Sequence, residues 1–434
     1  MPMETPNWPP SLWAAVTASG PELPALAGEE VADVAVIGAG FTGLSTAIHL
    51  RRRGLDVAVV EAVEPGWGAS GRNNGQVIPT LSRPDPEQIV ARHGAAGERF
   101  THLLRDSATI LFELIREEGI AAEAEQNGWV QPVHSPGRMK IAERRFRQWS
   151  ALGAPVELID APATRALLGS DAWYGAWLNR SGGHINPLAL ARGMARAALT
   201  RGARLFARSP VQRVTREDGR WIIETPGGRL RARALMLATN AYTQRFSMSL
   251  MPEVARQVAP VLSFQMATEP VSDNLRGLVM PTRPAMSDTH GELWFARYDA
   301  RHRLITGGAL AWPFGREERL QPYIAARFAR IWPALGEVRF THVWSGHIGM
   351  TSDYMPRLHR IGPDAYAWAG CNGRAVALSV ALGRDFAAAI AGDDPETLGL
   401  PFTEPKPLPL HALAGLATPF MLALYRRRDA REIA

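Results

Sequence analysis

Residues 33–37, Asp-Val-Ala-Val-Ile, form a short β-branched apolar run that stops at Gly38-Ala39-Gly40-Phe41-Thr42-Gly43. Leu44, Ala47 and Ile48 then recur at helical spacing, Arg51-Arg52-Arg53 close the last turn, and Gly54 provides a stop. A second apolar run, residues 57–60, ends in Glu61. The pattern predicts strand, glycine turn, helix, strand, acid.

Farther along, the periodicity changes. A charged stretch over about 86–119 predicts a helix, followed by a mixed segment around Trp129 and further helical sequence to about 168. Asn186-Pro187 reads as a cap and first helical position, opening a helix through Ala198 that Gly202 ends. Residues 203–239 alternate strand-like runs with turns at Gly219 and Gly227-Gly228, and 260–312 read as aromatic-rich antiparallel strands. Residues 366–392 predict a strand running into Gly370 and Gly373, then a long helix of small residues. The proline-rich 400–410 stretch is a tether to an apolar segment, 412–425, followed by Arg426-Arg427-Arg428. That segment predicts a C-terminal helix docked on the body, its arginines complementing the negative helix end; the alternative is peripheral contact with an anionic membrane surface.

Composition narrows the classes. A chain of 434 residues exceeds one growing core, and 46% hydrophobic with 21% charged residues is ordinary globular composition. The net charge of +6 is spread along the chain, which argues against a nucleic-acid partner. All basic residues except Lys140 and Lys406 are arginines. Cys371 is the single cysteine, so an internal disulfide and a cysteine-rich metal site are excluded. No histidine spacing suggests metal; His342 and His347 have no acid between them. The N-terminus lacks a basic region followed by an apolar stretch, and no window reaches the ~18 apolar residues of a membrane span, so a cytoplasmic protein is expected.

The chemistry starts at the first glycine turn. Glycines permit close approach of a pyrophosphate, the following helix offers free N–H groups, and Glu61 sits where an acid accepts hydrogen bonds from a ribose. The loop Gly66-Trp67-Gly68-Ala69-Ser70-Gly71-Arg72-Asn73-Asn74-Gly75-Gln76 adds bare backbone and amide side chains that can match either donors or acceptors of a ligand edge. Asn-Asn-Gly is also common in plain turns.

This loop, the glycine fingerprint, Ala-Thr-Asn-Ala-Tyr-Thr at 238–243, Thr-Ser-Asp at 351–353 and Gly-Cys-Asn-Gly-Arg at 370–374 occur in an order that resembles the D-amino-acid-oxidase-like (glycine/D-amino acid oxidase) family of FAD-dependent oxidoreductases. The likeness runs from about residue 10 to 400 and is nearest the branch of γ-glutamylputrescine oxidase. It implies an α/β fold: a Rossmann-like FAD-binding domain of glutathione-reductase type, with an inserted α+β substrate domain built on an antiparallel sheet. The implied FAD domain comprises 1–85, 169–245 and 346–434, and the substrate domain 86–168 and 246–345. Implied cofactor contacts are Gly38, Gly40 and Gly43 at the pyrophosphate, Glu61 at the ribose, the Val211 backbone at the adenine, and Ala238 and Thr239 near the cofactor. Ser70, Gly71, Arg72, Asn73, Asn74, Gly75 and Gln76 are expected beside the isoalloxazine. Gly346, Thr351, Asp353, Gly370, Asn372, Gly373 and Arg374 are expected over the far end of the flavin.

Departures from the family pattern carry information. Where amino-acid oxidases grip the substrate carboxylate with an arginine, this chain has Ile348; where sarcosine-oxidase relatives place a lysine, it has Ala377. Both losses point to an amine whose polar group lies farther from the reacting carbon, with Trp344, His347, Arg297 and Tyr298 as expected pocket residues. Gly346 replaces the cysteine that attaches flavin in some relatives, and residues 50–92 hold no histidine, so FAD is expected to be non-covalent. No lysine is available for oxygen activation, leaving Arg72, Arg374 or protonated His347. The resemblance thus implies an FAD-dependent amine oxidase acting by hydride transfer to flavin N5, the imine hydrolysing to aldehyde and ammonia and the flavin being reoxidised by O2 to H2O2. Alternatives are an N-demethylating or secondary-amine dehydrogenase with a non-oxygen electron acceptor, and a non-catalytic flavin-binding subunit.

Overall fold

Val34, Val36, Val57 and Val59 are buried, as are the intervening Ala35 and Ala58, so both faces of these strands are covered. Continuous apolar strands of this kind belong in a parallel sheet with helices on its faces. The computed structural model, which describes residues 7–309, 316–409 and 411–433, shows such a sheet. Its order is Arg357–Gly362, Ala365–Ala369, Gly228–Leu237, Gly28–Ile37, Val57–Val60, Arg204–Phe206, with Arg220–Glu224 and Arg213–Glu217 extending from Gly228–Leu237. Gly28–Ile37 pairs in parallel with both neighbours, and Ile37 stands opposite Val60 and Leu237. Three strands therefore end at one level, which is where open α/β sheets bind ligands.

Helix Phe41–Arg52 leaves from that level and is buried along most of its length. Helix Val376–Ile390 crosses it closely: a Cβ at Gly383 would stand 2.5 Å from the Ser45 Cβ. The Ser45 hydroxyl donates to the Val380 carbonyl at 2.7 Å. The small residues of the late helix thus bring the second glycine turn next to the first.

A second sheet runs Phe340–Met350, Ala259–Pro270, Arg303–Gly308, Phe295–Tyr298, Ala285–Ser287, Trp129–Pro132, Gly175–Asn179, Val156–Asp160. Its pairings are antiparallel except that Ala285–Ser287 runs parallel to Trp129–Pro132. The expected helix at 86–119 is Pro86–Glu117, opened by a capping box between Asp85 and Gln88 and broken at Gly94. The expected helical sequence to 168 is interrupted by strand Val156–Asp160.

Three segments stand elsewhere than the sequence placed them. Gly175–Asn179 and the end of Phe340–Met350, assigned to the FAD-binding unit, pair within the second sheet. Helix His411–Ile433 also joins that side: Arg426 donates twice to Glu292 at 2.7 Å, and the Gly291 N–H donates to Asp429 at 2.7 Å. Arg426 pairs with the body midway along the helix, and Arg428 with Asp429 and Glu432 of the helix itself, rather than capping its end. Phe420, Met421 and Leu424 are exposed. Among the described residues no helix is long and apolar enough to cross a membrane.

Candidate active site

A cavity of about 980 Å³ extends from the ends of the parallel strands to the inner face of the second sheet. At the first end its wall is mostly backbone. Gly38 holds φ +101°, a conformation that favours glycine, and a Cβ at Gly43 would meet the Gly38 carbonyl oxygen at 2.0 Å. Ser70 Oγ accepts from the Phe41 N–H at 3.1 Å, and Glu61 accepts from Ala39 N–H at 2.7 Å and Val63 N–H at 3.1 Å. Burial pushes the Glu61 carboxyl above its ordinary value, against those backbone donors. The first turn of helix Phe41–Arg52 holds no acid, so its N-terminal dipole is free to receive an anion. Ala238, Thr239 and Val211 complete this end.

The loop at 66–76 forms the next part. Asn73 Oδ1 accepts from the Gly75 N–H at 2.8 Å while its Nδ2 donates to the Ser70 carbonyl at 2.9 Å; Asn74 Oδ1 accepts from the Gln76 N–H at 2.9 Å. Both residues line the cavity, and these bonds show their amides folding the turn, with Asn74 Nδ2 left uncommitted among the described residues. Gln76 differs. Its Nε2 donates to the Met286 carbonyl at 2.9 Å, but its buried Oε1 has no partner and the residue lines the cavity. Arg72 stacks over Trp67 at 4.3 Å and donates to the Trp67 carbonyl at 2.6 Å, leaving one Nη without a partner.

The late turn docks beside this loop. Asn240 Oδ1 accepts from the Gly370 N–H at 3.0 Å, and Asn372 Oδ1 accepts from the Thr351 N–H at 2.9 Å, tying together the three motifs at 238–243, 351–353 and 370–374. Gly346, Thr351, Asn372, Gly373 and Arg374 line the cavity. Asp353 does not; its carboxylate accepts from Met355 N–H and Arg357 and pairs with Arg92, fixing the turn from outside. Gly43, Gly71, Gly75 and Gly370 likewise shape the turns from behind the wall.

Among the expected pocket residues, His347 lines the cavity, its ring edge-on to Tyr242 at 5.7 Å. Burial, with Arg245 and Arg72 nearby, lowers its pKa from the ordinary histidine value, which disfavours the protonated form. The other three stand behind the wall. Trp344 Nε1 donates to the Arg72 carbonyl at 2.7 Å. Arg297 donates to the carbonyls of Asn74 at 2.7 Å and Ile185 at 2.9 Å, and burial pushes its pKa down to about 10. Tyr298 donates to the Val279 carbonyl at 3.0 Å and is pushed up to about 12 by burial. These side chains brace the loop at 66–76 or the second sheet instead of facing a substrate.

The far wall contains residues that the sequence did not single out. Gln131, Arg145, Ser287, Asp288, His290 and Glu292 line it, roofed by Met421, Leu422 and Tyr425 of the C-terminal helix. His290 Nδ1 lies 2.6 Å from Asp288 Oδ2, its ring stacked between His134 at 3.8 Å and Trp294 at 3.9 Å, and its Nε2 has no partner. The available signal was Asp-Thr-His-Gly-Glu at 288–292, a polar run inside an aromatic strand region. His134, Asp429 and Glu432 come close enough to hold a metal ion, but the Arg138 guanidinium already bridges both carboxylates.

A backbone-walled anion site, a carboxylate placed for hydroxyl donors, and an orphaned Gln76 acceptor farther along the same cavity fit a dinucleotide lying along it. Comparison with known proteins gives the same direction. The family model described as "DAO: FAD dependent oxidoreductase" matches residues 33–389. The chain is 30% identical to gamma-glutamylputrescine oxidoreductase of Escherichia coli K12, over 83% of this chain and 84% of that protein. It is also 30% identical to a probable oxidoreductase, OrdL, of Haemophilus influenzae, over 86% of each chain. Among solved structures, glycine oxidase from Geobacillus kaustophilus superposes with a TM-score of 0.70 at 20% identity, covering 84% of this chain and 96% of that one. An L-amino acid deaminase from Proteus vulgaris superposes at 0.72 and 20% identity, covering 89% and 96%.

Proposed function

This chain belongs to the DAO family of FAD-dependent oxidoreductases, with FAD as its cofactor, and on that premise we propose that it oxidises the C–N bond of an amine resembling γ-glutamylputrescine. The observation that carries the reading is one cavity that joins the backbone-walled end to the second sheet, along which Gln76 Oε1, Gln265 Oε1, His290 Nε2 and Arg374 Nε are buried with no partner among the described residues. Bound FAD supplies the two-electron acceptor for a hydride from the carbon bearing nitrogen, and the resulting imine takes up water to give an aldehyde and ammonia.

The protein's own share is binding, orientation and proton handling. The turn Gly38–Phe41 would hold the diphosphate, Glu61 would accept from ribose hydroxyls, and Gln76, with its free Oε1, would hold the flavin ring by accepting a hydrogen bond. Arg72, half-buried with an unpartnered Nη, supplies positive charge beside the loop at 66–76. The amine must lose its ammonium proton before it gives up hydride. With Nδ1–H held by Asp288, His290 offers Nε2 on the same cavity as a proton acceptor. The second sheet and the C-terminal helix exclude water from that end. Reoxidation by dioxygen, giving hydrogen peroxide, closes the cycle.

The test is steady-state turnover by purified holoenzyme on a panel of polyamines and γ-glutamylated amines, assaying aldehyde, ammonia and peroxide together. Equal yields of all three support the reading. Aldehyde and ammonia formed only with an added quinone or dye would replace dioxygen as acceptor, and formaldehyde from N-methylated amines alone would replace the substrate class.

A further inference from the structure

We propose that Arg374 anchors a carboxylate at the far end of the substrate, so that the preferred substrates are amines carrying a carboxylate several bonds from the oxidised carbon. This deepens the amine-oxidising reading and rests on it.

Arg374 leaves the late turn and points its guanidinium at the second sheet. It lies 4.9 Å over the Trp129 ring, with Nη2 3.4 Å from Ser287 Oγ and Nη1 3.5 Å from Thr80 Oγ1 and 3.4 Å from the Leu81 carbonyl. All three distances exceed the usual range for an N–H···O bond, and Nε has no partner among the described residues. The residue is 5% exposed. Among the described residues no acid pairs with it. The nearest candidate, Asp85, is already shared by Arg144 and Arg145, both at 2.8 Å, and Arg145 donates to Gln131 at 2.6 Å. Three arginines thus stand around one carboxylate.

A buried guanidinium with only long, neutral acceptors is unfavourable unless something supplies the missing charge. Burial, with Arg145 next to it, pushes the Arg374 pKa down to about 9. Trp129 offsets part of this through its ring face. A carboxylate in the cavity would offset the rest, because its two oxygens match the fork of the guanidinium. FAD's permanent charge is its diphosphate, which the Gly38 end of the cavity receives; the Arg374 guanidinium lies instead among Trp129, Ser287 and Thr80. Ile348 also lines the cavity, at the position where the family's amino-acid oxidases hold a carboxylate next to the reacting carbon. The acid is therefore received by Arg374 and not at Ile348.

The test uses the holoenzyme and matched ligands. Binding of glutaramate and of pentanamide, which differ by one carboxylate, is measured by calorimetry for the wild type and for Arg374→Gln and Arg374→Lys. Wild type should prefer glutaramate by about 30-fold or more, Arg374→Gln should lose the preference and Arg374→Lys should keep part of it. In turnover, N-glutarylputrescine should show a KM lower than N-pentanoylputrescine by a similar factor, with kcat differing much less. Equal wild-type binding of the two amides, or a preference that survives Arg374→Gln, overturns the proposal. The wild-type comparison decides the matter even if a variant fails to fold. Arg374-dependent binding of glutaramate with no oxidation of any amine would retain the anchor and defeat the amine reading instead.

Discussion

The two ends of the cavity are built in opposite ways. At the Gly38 end the polar groups are backbone N–H donors, and the side chains that reach them, Ser70 and Glu61, are already bonded. At the far end the wall is side chains, and among the described residues Gln265, His290 and Arg374 each keep a buried polar atom with no partner. Backbone makes a fixed receptor that tolerates no added atom, which suits a permanently held cofactor. Unpartnered side chains are costly to bury and favour a ligand that completes them, which suits a substrate that comes and goes.

The sharpest way to break this contrast is at Gly43. Gly43→Ala places a methyl 2.0 Å from the Gly38 carbonyl and should cost at least ~3 kcal/mol, giving protein purified without its yellow colour. A normal flavin-to-protein absorbance ratio would show that the turn is not a fixed receptor. Next is Glu61→Gln, which removes the charged acceptor and should weaken FAD binding in reconstituted apoprotein by about 10- to 100-fold, or about 1.5–3 kcal/mol. The amine KM measured at saturating FAD should change little, since the carboxylate sits at the opposite end.

How the two ends could be read from the sequence follows the same divide. The first turn was legible because its requirements are local: glycines, a helix and an acid within one strand–helix–strand unit. The far wall gathers Gln131, Arg145, Ser287, Asp288, His290 and Glu292 from distant segments, and no local pattern marks such an assembly. Asn73 and Asn74 were legible only as a choice between two roles, because turn-building and ligand-binding amides share one residue type. Trp344 and Arg297 were expected in the pocket from the departures at Ile348 and Ala377, and those departures do not say how far along a strand the cavity extends. Ala259, Val261, Ser263 and Gln265 do line it, at every second position of the neighbouring strand. The placement of the C-terminal helix depended on Glu292 and Asp429 meeting partners far away in the chain.

Acid should discriminate further. His134 lies under the far wall between His290, Thr289, Arg138 and Glu432, and burial lowers its pKa from 6.5 to about 4. The unfolded chain therefore binds its proton first as pH falls. The stability gained by keeping the ring neutral is complete above pH 6.5 and is lost on the way down through pH 4. Between pH 7 and pH 5 the loss from this residue should be about 2 kcal/mol, and His134→Gln should flatten the pH dependence of the urea midpoint by that amount. The smallest effect belongs to the roof. Arg426→Ala leaves Glu292 with Tyr323 as its one hydrogen-bond partner among the described residues and should cost about 1 kcal/mol, seen as faster proteolytic removal of the C-terminal helix with FAD retained.

The most direct test of one cavity serving cofactor and amine together is anaerobic stopped-flow mixing of the yellow holoenzyme with a γ-glutamylated diamine. The account predicts that the visible flavin band disappears at a rate that saturates with amine concentration, with one equivalent of aldehyde formed per flavin. A band unchanged by every amine in the panel, yet bleached by dithionite, would contradict it.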